Sequence, residues 1–138
     1  MKQLLGMMSV GFMLLGGPVR AADAPKPSVQ RQVIYAAPLA NVPGKTLTAV
    51  VLEAAPGAKS AAKHHHAGTV LVYVVSGAVR VRFAGQEPRV FHAGQCFVET
   101  PGTEHLSTEN LSGTGPAKLL AVFVADGGAE LTTYDKDQ

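Results

Sequence analysis

The chain has 138 residues, the size of one ordinary domain, with 46% hydrophobic, 16% charged and 6% aromatic residues and no Trp. That composition excludes intrinsic disorder and a fibrous repeat as descriptions of the whole chain. The single cysteine, Cys96, excludes an intramolecular disulfide framework and any multi-thiolate zinc site, which leaves five histidines as the main candidates for chemistry.

Residues 1–24 read as a secretory leader. Lys2 supplies the positive start, and residues 4–15 (LLGMMSVGFMLL) supply an apolar run shorter than the roughly 20 residues that span a bilayer. Gly16, Gly17 and Pro18 end the run, and Val19-Arg20-Ala21 or Ala22-Asp23-Ala24 offers a small-residue cleavage site. An uncleaved N-terminal anchor is the alternative. Loss of Lys2 and Arg20 lowers the formal net charge from +2 to 0 when Asp23 is retained. A neutral domain has no basic footprint for nucleic acid, and no other segment is apolar enough to enter a membrane. The expected location is the bacterial periplasm or the medium, where a lone cysteine fits the oxidising conditions.

Residues 24–28 (APKPS) are Pro-rich, a short linker is assigned to 25–29, and the domain proper is expected over 30–133. Runs 46–52 (TLTAVVL), 70–75 (VLVYVV), 79–83 (VRVRF), 96–98 (CFV) and 119–124 (LLAVFV) are short, β-branched and predicted to be strands. Within 79–83 the alternation is strict, so Val79, Val81 and Phe83 face inward and the two arginines outward. Ser76-Gly77 marks a tight hairpin; Ala93-Gly94 and Pro101-Gly102 mark further turns. No segment has a capped helical period. Many short strands in about one hundred residues indicate a single all-β domain, a small barrel or jelly roll. An immunoglobulin-like sandwich would call for a Cys–Trp–Cys pattern that is missing here. Cys96, Tyr73 and Phe123 are expected in the core, and the polar tail from Thr132, with 134–138 assigned outside the domain, is expected to be loosely held.

Lys63-His64-His65-His66 leads into the strongest strand run. On an extended chain His64 and His66 share one face and His65 takes the other, so two imidazoles stand ready to chelate a divalent transition metal. His105, after the Pro101-Gly102 turn, could close the site from a neighbouring strand. A solvated basic patch has the same local pattern. His65, His92 and Glu104 are expected at the surface. Glu99 ends the apolar run 96–98, and an acid there is either solvated at the strand's end or carried inside the barrel at a cost that demands a partner.

Taken together, Pro56-Gly57, His64-x-His66, Tyr73-Val74-Val75-Ser76-Gly77, Gly94-Gln95-Cys96-Phe97, Pro101-Gly102-Thr103-Glu104-His105 and the closing run 116–124 resemble the cupin superfamily. The resemblance is to small single-domain bacterial cupins of the quercetin-dioxygenase-like kind. It implies a double-stranded jelly roll with a metal at the inner mouth of the barrel. It also implies His64 and His66 as the first ligand pair and His105 as the last. The family's glutamate slot is occupied by Val70, the Gly57–His64 interval is one residue longer than the usual pattern, and Asn110 stands one residue beyond its expected place, which Glu109 fills.

Val70 leaves two outcomes. The ligand set is three histidines with open positions for water, substrate or dioxygen, or Glu99 supplies the carboxylate as a ligand, as a partner orienting a histidine, or as a general base. The metal implied is Fe, Mn, Ni, Zn or Cu. The functional expectation is an exported metal-dependent enzyme of oxygenase, isomerase or lyase type, acting on a small organic molecule. A non-catalytic periplasmic module that binds a small ligand or metal is the alternative, and a purely structural barrel is a third. By resemblance the protein is a homodimer, with residues 30–35 (QRQVIY) as the segment to exchange.

Overall fold

A computed structural model of the chain describes residues 28–60 and 62–135. The leader 1–24 and most of the linker lie outside the described residues. Those described form eleven strands and no helix: β1 (Val29–Pro38), β2 (Lys45–Ala54), β3 (Lys59–Ser60), β4 (His64–His66), β5 (Thr69–Ser76), β6 (Ala78–Phe83), β7 (Arg89–His92), β8 (Cys96–Glu99), β9 (His105–Asn110), β10 (Ala117–Asp126) and β11 (Thr132–Tyr134). The all-β expectation holds. One sheet runs β1-β2-β10-β5-β8, the other β11-β4-β9-β6-β7 with β3 also paired to β9, and all ladders are antiparallel. A single core joins Val70, Val72 and Val74 of the first sheet to Val79, Val81 and Phe83 of the second. This is a jelly roll, two sheets packed face to face.

Period-2 alternation sorts each strand. Val79, Val81 and Phe83 are buried on β6 while Arg80 and Arg82 face solvent, and Arg80 reaches across its ladder to Glu109 at 2.9 Å. The same rule overturns two core assignments. Phe97 and Glu99 point inward on β8, so Cys96 and Val98 must point outward, and Tyr73, the partner of Cys96 on β5, is exposed with it. Phe123 is in the core as expected. Thr132 begins a strand rather than a loose tail: β11 pairs with β4 through Thr132↔His66, Thr133↔His65 and Tyr134↔His64. β1 is bonded along its length to β2 of its own chain.

Two glycines set the close approaches. Gly77 turns β5 into β6 with φ +81, and a Cβ there would press on Ala117 at 3.1 Å. A Cβ on Gly68 would run into the Val124 carbonyl oxygen and Ala125, so only glycine lets the β4–β5 turn pack on β10.

A β-bulge explains the late asparagine. Across the β6–β9 ladder the register steps from Arg82↔Ser107 to Phe83↔His105, which leaves Leu106 as an extra residue. His105 and Phe83 both face inward, and beyond the bulge Thr108 and Asn110 oppose the inward Val81 and Val79. Asn110 is buried. Its Nδ2 donates to the carbonyls of Ala54, Ala55 and Gly115 at 3.2, 3.0 and 2.9 Å, and its Oδ1 accepts from the Ser112 amide at 3.0 Å.

Candidate metal centre

β4 is three residues long, and its burial follows the alternation expected of an extended chain. His64 and His66 are buried, and His65 is turned outward with its imidazole 3.6 Å from Asp135. β9 brings in His105 as the direct partner of His64. The His64 ring centroid lies 5.0 Å from that of His66 and 4.7 Å from that of His105. One nitrogen from each of the three rings falls within 4.8 Å of the others. His92 and Glu104 are elsewhere, His92 exposed at the end of β7 and Glu104 half-exposed, 4.0 Å from Lys63.

Each imidazole has its Nδ1 engaged by an oxygen. His64 Nδ1 donates to the Ala62 carbonyl at 2.9 Å, His66 Nδ1 to the Leu131 carbonyl at 3.0 Å, and His105 Nδ1 to Glu99 Oε2 at 3.0 Å. Those acceptors assign the proton to Nδ1 in all three rings and leave the lone pair of each ring on Nε2. His105 Nε2 accepts the Thr108 hydroxyl at 2.8 Å, a contact that follows from the bulge bringing Thr108 inward. Burial pushes the His64 imidazole below its ordinary value of 6.5. His105 and His66 add to that shift, while the Ala62 carbonyl and Glu99 oppose it without reversing it. Neutral imidazole is the form a metal requires.

Glu99 is 2% exposed. It lies inside the barrel, not solvated at the end of its strand, and Val70 is its partner across the β5–β8 ladder. Besides the bond to His105, its Oε2 stands 3.6 Å from His66 Nε2. A buried carboxylate without a partner would be costly, and this one accepts the His105 Nδ1–H. Glu99 therefore orients His105 and borders the ligating side of His66.

These residues close one end of a cavity of about 250 Å³. The walls are mostly aliphatic and aromatic, among them Val50, Leu52, Val72, Phe97, Leu119 and Phe123. The edge of the Phe123 ring meets His66, and Tyr134 on β11 stacks at 5.5 Å from His64. Three imidazoles beside a carboxylate in an apolar wall, with a nitrogen of each within 4.8 Å of the others, suit a divalent transition metal once the cluster closes around it. The sequence reading did not find Ala62, Thr108, Leu131, Thr132 or Tyr134. Two of them act through backbone carbonyls, which carry no side-chain signature, and three lie in or beside the short strand taken for a tail.

Comparison with known proteins agrees with this architecture. A family model described as the cupin domain matches residues 50–123, the stretch that contains all three histidines and Glu99. Among solved structures, a conserved protein with a double-stranded β-helix domain from Klebsiella pneumoniae superposes with a TM-score of 0.62 at 22% identity, covering 83% of this chain and 90% of that one. An RmlC-like cupin from Ralstonia eutropha is 30% identical with a TM-score of 0.57, over 80% of this chain and 62% of that one. Oxalate decarboxylase from Bacillus subtilis is 24% identical with a TM-score of 0.55, over 64% of this chain and 23% of that one. No curated protein matches the sequence.

Proposed function

The chain belongs to the cupin family, and from that premise we propose that it is an exported metalloenzyme for a small organic molecule, with His64, His66 and His105 holding one divalent transition metal. The observation that carries this reading is the capture of all three Nδ1 atoms by oxygens, which leaves the lone pairs on Nε2 beside an apolar cavity, where a metal would displace the Thr108 hydroxyl from His105. Iron, manganese, nickel, zinc and copper all suit such a donor set, and the ion would supply Lewis-acid polarisation of a substrate oxygen or a place for dioxygen to react.

The chain's own residues do the rest. The aliphatic walls exclude water and take the substrate's apolar body. Glu99 holds the His105 ring and is the buried base nearest the reacting end, where it receives or returns a proton. Oxygenation of the quercetin-dioxygenase kind, isomerisation and decarboxylation all use these parts.

The leader-like residues 1–24 support export to the periplasm or medium. Homodimerisation is supported by the outer face of the first sheet, where Leu71, Tyr73, Val75 and Val98 are 42%, 40%, 46% and 54% exposed. A second reading, a non-catalytic binding module, is favoured by Val70 standing where the family carries a glutamate. Dioxygen uptake and product analysis with phenols and diketones, on protein loaded in turn with each metal, separates the two. Turnover supports the enzyme; saturable binding without product in every metal form supports the module.

A further inference from the structure

β1 lays Val29, Arg31 and Val33 along the cavity wall, every second residue, so one face of this exposed edge strand borders the cavity. Arg31 opposes Leu52 of β2 and is flanked by valines. Among the described residues it is the one lysine or arginine in the cavity lining. Among the described residues its guanidinium has neither an ion pair nor a side-chain hydrogen bond, whereas Lys45, Lys63, Arg80 and Lys118 each have a carboxylate within 4.0 Å. Glu99, the one carboxylate of the cavity lining among the described residues, is already held by His105 and lies on β8, the opposite edge strand of the same sheet.

The cavity is polarised accordingly. His64, His66, His105 and Glu99 are its most buried polar lining, all under a tenth exposed, while β1 lies at a solvent edge, where Val33 is 60% exposed and Arg31 is exposed beside it. An arginine on the bordering face lays its aliphatic stem on the apolar wall and keeps the charge at the mouth. A forked guanidinium there offers two parallel N–H donors to a carboxylate.

Resting on the metal-centred reading of this cavity, we propose that Arg31 anchors the substrate and that the substrate is a monocarboxylate. The carboxylate binds Arg31 at the mouth, an apolar body fills the space between Leu52, Val72 and Leu119, and an oxygen at the far end meets the histidines. Size limits the body. A cavity of about 150 Å³ holds benzene, so 250 Å³ takes one ring or its aliphatic equivalent with a small substituent at each end.

The test is calorimetric titration of the untagged protein, metal-free and zinc-loaded, with benzoate and with benzamide, its neutral counterpart of the same size. Wild-type protein is expected to bind benzoate about tenfold more tightly than benzamide in the metal-free state, with the preference shrinking as salt is raised. Arg31→Gln abolishes the preference and leaves benzamide affinity unchanged, and Arg31→Lys keeps part of it. Equal affinities in wild type, a benzoate preference that survives Arg31→Gln, or no saturable binding of either probe overturns the proposal. Zinc content is read on the same samples. Protein that prefers benzoate through Arg31 but takes up no zinc defeats the metal reading alone, and protein that takes up zinc without the preference defeats the Arg31 proposal alone.

Discussion

Val70 and Glu99 stand directly opposite one another on β5 and β8, both pointing into the barrel. Side chains opposed across an antiparallel ladder are about 4.5–5.5 Å apart at Cβ. Glu99 thus stands across the ladder from Val70, its Oε2 3.0 Å from His105 Nδ1 and 3.6 Å from His66 Nε2. Glu99→Val is expected to lower metal affinity by about 10–100-fold, the usual effect of losing a carboxylate behind a ligating histidine. Val70→Glu alone crowds two buried acids and destabilises the fold. The double variant Val70→Glu/Glu99→Val restores a single acid and recovers part of the affinity lost in Glu99→Val, which a double-mutant cycle of metal titrations would measure.

The metal-free protein will lose stability in mild acid. His64 has its ordinary value of 6.5 when unfolded and a lower one when folded, so between the two the unfolded chain binds more protons. Stability from this group is complete above about 6.5 and falls as pH drops toward the folded value. Urea midpoints at pH 7.5, 6.5 and 5.5 read the slope, and His64→Gln should flatten that part of it.

β11 and the residue before it hold His66 in place, since the Leu131 carbonyl and the Thr132 hydroxyl sit 3.0 and 3.2 Å from His66 Nδ1. Deleting residues 131–138 is expected to leave the far-ultraviolet dichroism of a β protein and to weaken metal binding at least tenfold. Unchanged affinity would show that β4 alone orients His66.

Asn110 ties the end of β9 to the segments before β3 and β10, away from the histidines. Asn110→Ala should lower stability by about 2–4 kcal/mol, because several buried carbonyls lose their donor at once. Metal stoichiometry should not change. Thermal unfolding and metal analysis on one preparation check both halves.

The alternating runs of β5, β6 and β10 were legible as strands because one face of each is buried, and the His64/His66 pair was legible because extended chain has period 2. Cys96 and Tyr73 were misplaced because hydrophobicity was weighed without the parity that inward Glu99 imposes on β8. Thr132-Thr133-Tyr134 has strand-forming residues but is too short and too close to polar residues to show a period, and it pairs as β11 because β4 offers it an edge. The bulge at Leu106 is likewise a property of pairing, and it alone brings Thr108 to His105 and Asn110 into the core. The carbonyls that fix the His64 and His66 tautomers belong to whichever residues the fold delivers there, Ala62 and Leu131.

Elemental mass spectrometry of the untagged protein, purified in metal-free buffer, tests the three-histidine centre most directly. The account predicts about one equivalent of a single transition metal per chain, lost in His64→Ala/His105→Ala while the β fold persists. Metal retained at full stoichiometry in that variant, or none taken up by wild type after reconstitution, would contradict it.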